Sequence, residues 1–159
     1  MEATALPPTM TVIAISGPGG PRMLRPETRA LPQPAENEVL IRVRAAGVNR
    51  PDVAQRQGSY PPPPGASDLP GLEVAGEIVA QGARSNRWQI GDKVAALTPG
   101  GGYAEYVAVH ETNVLPMPTG FAFTEAIASL NPGDIISLEA ANGALILEPG
   151  AYLSVIQIG

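Results

Sequence analysis

Several short runs of the chain alternate apolar with polar residues, which is the two-residue period of a half-buried β-strand. The clearest run is Glu38–Ala45, in which Val39, Ile41 and Val43 alternate with Leu40, Arg42 and Arg44. These runs predict a mainly β fold whose core contains Val39, Ile41, Val43, Val74, Ile78, Val94 and Val107. Further strands are predicted at Thr11–Ser16, Leu72–Ala80, Lys93–Thr98 and Tyr103–Val109, with Arg22–Pro26 extending the first strand into a hairpin.

Two segments carry the local signals of short helices. Asn49 is a suitable amino-terminal cap for a helix over Arg50–Gln57, and Pro51 is tolerated in the first turn because its missing N–H would have no partner there. Gly58 is expected to end this helix. The second helix is predicted over Phe123–Leu130, where apolar residues recur on one helical face.

The two ends of the chain differ from the part between them. Residues 1–10 are expected to form a flexible leader, and residues 11–130 a single domain. Residues 131–159 are predicted to form an antiparallel β-meander, because an Asn-Gly pair at 142–143 lies between apolar runs and favours a tight hairpin. The predicted strands of the meander are Ile135–Glu139, Ala144–Glu148 and Tyr152–Ile158.

Composition supports a β-rich chain and excludes several classes of function. Gly and Pro contribute 18 residues each, which indicates many turns between short strands. The net charge of −5 and the scattered basic residues argue against nucleic acid as a partner. The absence of cysteine excludes disulfides and thiolate zinc sites. No apolar run is long enough to span a membrane, so a cytoplasmic location is expected.

A family resemblance is carried by three ordered blocks, Ala45–Gly82, Trp88–Leu97 and Pro99–Val109. Over about Thr11 to Leu130, the chain resembles the amino-terminal, GroES-like catalytic domain of the zeta-crystallin-like NADPH:quinone oxidoreductases, a zinc-free branch of the medium-chain dehydrogenase/reductase superfamily. The resemblance implies a GroES-like, partly open β-barrel, a quinone-type substrate and NADPH as cofactor. Residues 131–159 match nothing recognised in that family.

The resemblance implies a site without metal. Zinc-dependent members of the superfamily use a cysteine and a histidine as ligands at the positions that Asn49 and Leu72 occupy here. Neither residue can replace thiolate or imidazole, so we expect no zinc. The only histidine, His110, has no partner at a metal-ligand spacing and is interpreted as a surface residue at the end of a strand.

The resemblance implies that Asn49 and Tyr60 face the nicotinamide and the substrate as catalytic and cofactor-binding residues. The residues by themselves leave an alternative open, in which Asn49 is a helix cap and Tyr60 a half-buried packing residue. Asp52 is interpreted as a first-turn acid favoured by the helix dipole rather than as a catalytic group. Glu73 is expected to brace the cleft through a buried hydrogen bond to a partner such as Arg56.

No nucleotide-binding motif is recognised. The glycine-rich strings at Ser16–Arg22 and Thr98–Glu105 lack the spacing of a dinucleotide fingerprint and are interpreted as hairpin turns. We therefore expect the Rossmann domain to be absent, so that quinone reduction needs a separate nucleotide-binding domain. The alternative is a non-enzymatic β-module, truncated, rearranged or engineered. The apolar strands of the meander are expected to pack on the barrel or to pair across a homodimer.

Overall fold

The computed structural model describes residues 5–128 and three short strands further along the chain. This part is mainly β, as predicted, with two short α-helices, α1 (Arg50–Gln57) and α2 (Phe123–Ala128). The strands are β1 (Thr9–Ile15), β2 (Leu24–Ala30), β3 (Glu38–Gly47), β4 (Glu73–Gln81), β5 (Lys93–Leu97), β6 (Tyr106–His110), β7 (Val114–Pro116), β8 (Ala140–Ala141), β9 (Ala144–Leu145) and β10 (Val155–Gln157).

An antiparallel sheet built around β3 forms the body of the molecule. Its strand order is β10-β3-β4-β5-β7, and β6 also pairs with β3. The β1–β2 hairpin joins this sheet through the segment before β6, where the Ile13 N–H donates to the Tyr103 carbonyl (2.8 Å) and the Glu105 N–H to the Thr11 carbonyl (3.1 Å). The sheets remain open, which agrees with the predicted partly open architecture.

The core lies on both faces of β3 and β4. All of the predicted core residues are buried, and they form one cluster with Tyr103, Val109 and Val114. On the opposite face, α2 packs Ala126 and Ile127 against Ala45 and Ala75. Alanine at these strand positions leaves room for the helix to lie directly on the sheet.

Several boundaries differ from those predicted. β1 begins two residues early, because Met10 is buried in a second apolar cluster with Leu69. Residues 9 and 10 therefore belong to the strand and not to a leader. β6 begins at Tyr106 instead of Tyr103, because the preceding segment bonds to β1. The three-residue strand β7 was not predicted, since its length gives no periodic signal.

The predicted meander lies mostly outside the described residues. Its described part contains an antiparallel pair, β8 with β9, on either side of the predicted Asn-Gly turn. β10 pairs with Ala45–Gly47 of β3, whereas a meander would pair it with β9. β10 can pair with β3 because β6 covers only Glu38–Arg42 of that edge, which leaves the rest of the edge open to another strand.

Glu111 ties the loop between β4 and β5 to the end of β6. Its Oε2 accepts hydrogen bonds from Ser85 Oγ (2.9 Å), Asn86 N–H (3.0 Å) and Arg87 N–H (3.2 Å). Burial acts to raise the pKa of Glu111, but these hydrogen bonds outweigh it and hold the pKa below its ordinary value. The ionised carboxylate is therefore the form that the folded loop selects.

Glu111 is expected to make stability depend on pH. Because its pKa is lower in the folded state than in the unfolded chain, its stabilisation is full above the unfolded pKa and is lost as pH falls through the folded one. We expect Glu111→Gln to lower the melting temperature at neutral pH, with the difference from the parent chain shrinking as the solution is acidified. Glu77→Gln, at a half-buried surface ion pair, serves as control. A difference that is the same at every pH would contradict the prediction.

Candidate active site

Asn49 lies at the junction between β3 and α1. Two residues after β3 ends, it occupies the amino-terminal cap position of α1 with extended backbone angles (φ −118°, ψ 158°). The helix spans the predicted range and ends at Gly58, whose φ of +85° is the left-handed conformation that glycine adopts readily. The predicted cap position is thus confirmed.

The Asn49 side chain bonds to Glu73 across the sheet. Its Nδ2 donates to Glu73 Oε1 at 2.9 Å, and Glu73 is only 2% exposed at the start of β4. Gly47 provides the space, because a Cβ on that residue would overlap the Glu73 carboxylate. The predicted buried hydrogen bond of Glu73 is therefore present, with Asn49 as a partner. Arg56, the partner suggested from sequence, donates its Nε to the Gly19 carbonyl at 3.1 Å.

Asp52 is a buried acceptor for three donors. Its Oδ2 accepts the Asn49 N–H (2.8 Å) and the Tyr103 hydroxyl (3.1 Å), and its Oδ1 accepts the Gly71 N–H (2.9 Å). Burial raises the pKa of Asp52, while the three hydrogen bonds oppose that rise. Asp52 was interpreted from sequence as a first-turn acid of the helix, and these contacts add that it fixes the main chain at Asn49.

Tyr103 belongs to this network, and the sequence interpretation missed it. Burial raises its pKa well above the ordinary value, and the charge of Asp52 acts in the same direction, so the phenol remains a neutral donor. Gly71 allows the approach: its φ is +104°, and a Cβ there would lie 2.6 Å from the Tyr103 nitrogen. The glycine-rich turn before Tyr103 was the available signal, since such turns often mark a close backbone approach.

Tyr60 lies outside this network. It follows Gly58 and Ser59 at the end of α1, precedes four prolines, and is 43% exposed. Within the described part of the chain, its hydroxyl makes no hydrogen bond. The structure thus places Asn49 in a fixed position and leaves the Tyr60 phenol accessible.

The other sequence motifs have structural roles. His110 ends β6 as an exposed residue, with Nδ1 2.8 Å from Thr112 Oγ1, which confirms its interpretation as a surface histidine. The first glycine-rich string forms the turn of the β1–β2 hairpin, as predicted. The second connects β5 to β6, which pair with other strands and not with each other, so the prediction of a hairpin turn there is wrong. Among the residues that the structure describes, no group of three His, Cys, Asp or Glu could hold a metal ion. Within the same residues, no helix has the length and hydropathy to cross a membrane.

A cavity of about 300 Å³ lies elsewhere in the described fold. Its walls come from β6, the turn before β6 and the loop after the prolines, and include Met10, Ser67, Thr98 and Tyr106. None of Asn49, Asp52, Tyr60 and Glu73 lines it. The cavity is therefore distinct from the cluster around Asn49.

Comparison with known proteins supports the predicted resemblance. Residues 35–119 match the model of the alcohol dehydrogenase GroES-like domain. The chain is 40% identical to the quinone oxidoreductase of Lama guanicoe over 121 residues, which are 75% of this chain and 37% of that protein.

Solved structures agree with this result. The crystal structure of human synaptic vesicle membrane protein VAT-1 homolog-like protein has a TM-score of 0.70 and 35% identity, covering 76% of this chain and 39% of that one. The quinone oxidoreductase of Pseudomonas syringae pv. Tomato DC3000 has a TM-score of 0.68 and 33% identity, covering 75% and 37%. The chain thus spans less than two fifths of the length of these relatives.

Proposed function

Because the chain belongs to the alcohol dehydrogenase GroES-like domain family, we propose that it carries the substrate half of an NADPH-dependent, zinc-free quinone oxidoreductase site. The observation that carries the proposal is Asn49, whose amide is held by the buried Glu73 at the position where zinc-dependent relatives have a ligand. Leu72, at the second ligand position, offers no metal-binding atom. A quinone-type substrate is the chemistry that the names of the oxidoreductase relatives indicate.

The residues of this chain fit the nicotinamide end of NADPH and not its phosphate end. Asn49 offers a half-buried amide and Tyr60 an exposed phenol. In the described residues, neither glycine-rich string leads from a strand into an α-helix, which is the arrangement that binds a pyrophosphate. We therefore assign the phosphate contacts to a separate nucleotide-binding domain.

Each side chain has a separate task in the proposed reaction. NADPH, when bound, supplies a hydride to the quinone. Asn49 orients the nicotinamide and substrate, which is effective because its main chain and its side chain are both fixed by buried carboxylates. Tyr60 donates a hydrogen bond to the quinone oxygen as negative charge develops there. We place this activity in the cytoplasm.

The alternative is a non-enzymatic β-module that keeps the fold of its relatives without their reaction. The observation in its favour is the short span of the match, since the chain covers 37% of the length of a quinone oxidoreductase relative. In that case Asn49 would serve only as a cap, and self-association would be the main property to examine.

Calorimetric titration with NADPH tests whether this chain binds only the nicotinamide end of the cofactor and leaves the phosphate end to another domain. We expect the purified chain to bind NADPH more weakly than micromolar, because the described residues provide no phosphate-binding turn. Adding a nucleotide-binding domain from a related quinone oxidoreductase is expected to restore NADPH-dependent quinone reduction. Micromolar binding of NADPH by the chain alone would contradict the assignment of the phosphate contacts to another domain. The absence of turnover in the reconstituted mixture would favour the non-enzymatic module. The same mixture without quinone is the control.

A further inference from the structure

A run of four prolines follows Tyr60 in the loop after α1. Proline fixes φ at about −65°, and a residue that precedes proline is confined to extended values of ψ. Pro61, Pro62 and Pro63 are subject to both restrictions, and the peptide bonds of the run are trans. Together these restrictions select the polyproline II conformation.

The exposure of the run shows which of its edges are open. A polyproline II helix has three residues per turn, so residues three apart in sequence lie on one edge. Tyr60 is 43% exposed, and every proline of the run is exposed except Pro62, which is half-buried. The edge that carries Tyr60 and Pro63 is therefore open to a partner. The edge that carries Pro61 and Pro64 is open in the same way.

The loop that carries the run is anchored at both ends. Ser59 donates its N–H (2.9 Å) and its hydroxyl (3.2 Å) to the carbonyl of Ala54, in the last turn of α1. From the same turn, Gln55 Nε2 donates to the Asp68 carbonyl at 3.0 Å. The loop is thus closed onto the helix, and a segment held in this way loses less conformational entropy on binding than a free peptide does.

The main chain of the run offers acceptors and no donors. Proline has no N–H, and within the described part of the chain the carbonyls of Tyr60, Pro61 and Pro62 accept no hydrogen bond. Free carbonyls beside pyrrolidine rings suit a groove lined by tryptophan and tyrosine. The rings pack on the aromatic faces, while an indole N–H or a phenol O–H donates to the carbonyls.

The charges near the run limit the partner further. No lysine or arginine occurs between residues 57 and 83. Arg29 reaches the end of the loop, where the Asp68 carboxylate binds it at 2.7 Å. Arg56, in the last turn of α1, is buried and donates to the Gly19 carbonyl. A groove that depends on an ion pair with a basic residue beside the prolines therefore finds none in this loop.

From these observations we propose that Tyr60–Pro64 is a docking segment for a protein domain that binds polyproline II helices in a neutral, aromatic-lined groove, of the kind found in WW and EVH1 domains. The ring of Tyr60 extends the apolar edge formed by Pro63, and the carbonyls accept the donors of the groove. This inference does not rest on the proposed function. It adds a consequence to it, because a groove seated on the segment covers Tyr60 and so excludes the quinone.

Titration of recombinant domains with the full chain tests the inference. A WW domain, an EVH1 domain and an SH3 domain whose groove carries acidic residues are each labelled with 15N, and neither cofactor nor quinone is present. We expect saturable shifts in the groove of the WW or the EVH1 domain. Replacing Pro61 and Pro63 together by alanine removes a ring from each open edge and is expected to weaken binding about tenfold or more. Pro62→Ala is the matched control, expected to retain most of the affinity because its ring is half-buried.

The domain that binds more tightly, WW or EVH1, identifies the type of groove, and either result supports the inference. Melting temperatures check that the variants fold, and Pro61→Ala alone replaces the double variant if the latter does not. The inference is overturned if neither domain shifts at millimolar concentration, or if the double variant binds as tightly as the parent chain. Binding to the SH3 domain that is as tight as binding to the other two also overturns it. Because the titrations contain no cofactor or quinone, each of these results leaves the proposed function untouched.

Discussion

Quinone turnover by the chain combined with a nucleotide-binding domain is expected to fall roughly a hundredfold when Tyr60 is replaced by phenylalanine, on the order of 3 kcal/mol in the activation free energy. The phenol is the only donor that we assign to the developing oxyanion, and the exchange removes its hydroxyl alone. Asn49→Ala is expected to cause a loss of similar size, because small errors in positioning reacting groups are costly.

Steady-state kinetics distinguishes the two roles. A donor that acts only in the transition state lowers kcat and leaves KM unchanged, whereas loss of an orienting contact is expected to change both. Gln57→Ala is the matched control, since Gln57 is exposed at the last turn of the same helix. If both variants retain the parent turnover, Asn49 and Tyr60 are structural residues and the proposed site is wrong.

Replacing Asp52 by alanine is expected to lower the free energy of unfolding by about 3 kcal/mol. The change leaves three donors without their acceptor, the N–H groups of Asn49 and Gly71 and the Tyr103 hydroxyl, and an unsatisfied buried group costs about 1–3 kcal/mol. Part of this loss is offset, because a carboxylate that is costly to bury is also removed. Urea unfolding monitored through the single tryptophan, Trp88, measures the effect.

Two further variants serve as comparisons for the loss of unfolding free energy in Asp52→Ala. Tyr103→Phe removes one of the three hydrogen bonds and is expected to cost about 1 kcal/mol. Asp68→Asn alters an exposed carboxylate that contacts Arg29 at 2.7 Å, and a surface ion pair of this kind contributes about 0–1 kcal/mol. If Asp52→Ala were no more destabilising than Asp68→Asn, the buried network would not stabilise the fold as we describe.

Local signals explain what the sequence could predict. The bounds of α1 follow from a capping residue, a proline in its first turn and a glycine after its end, all within ten residues. The core of β3 follows from alternation along one strand. Asn49 was found because it lies within such a local pattern and within a block that resembles a known family.

The contacts that fix Asn49 could not be predicted in the same way. The Tyr103 hydroxyl and Asp52 are 51 positions apart in the chain, and Asn49 and Glu73 are 24 apart. Their meeting depends on the register of β3 with β4 and on the turn that carries Tyr103 back under α1. The sequence predicted that Glu73 needs a partner, because burial of a charge demands one, but the choice between Arg56 and Asn49 required the fold.

The bare main chain at Gly47 also limits how these two positions can change during evolution. A side chain at Gly47 would occupy the space of the Glu73 carboxylate, so an exchange of Gly47 is tolerated only if Glu73 is shortened as well. Shortening Glu73 would withdraw the acceptor from Asn49 and release its amide. Descendants of this sequence that gain a side chain at position 47 are therefore expected to lose Glu73 as well, along with the fixed position of Asn49.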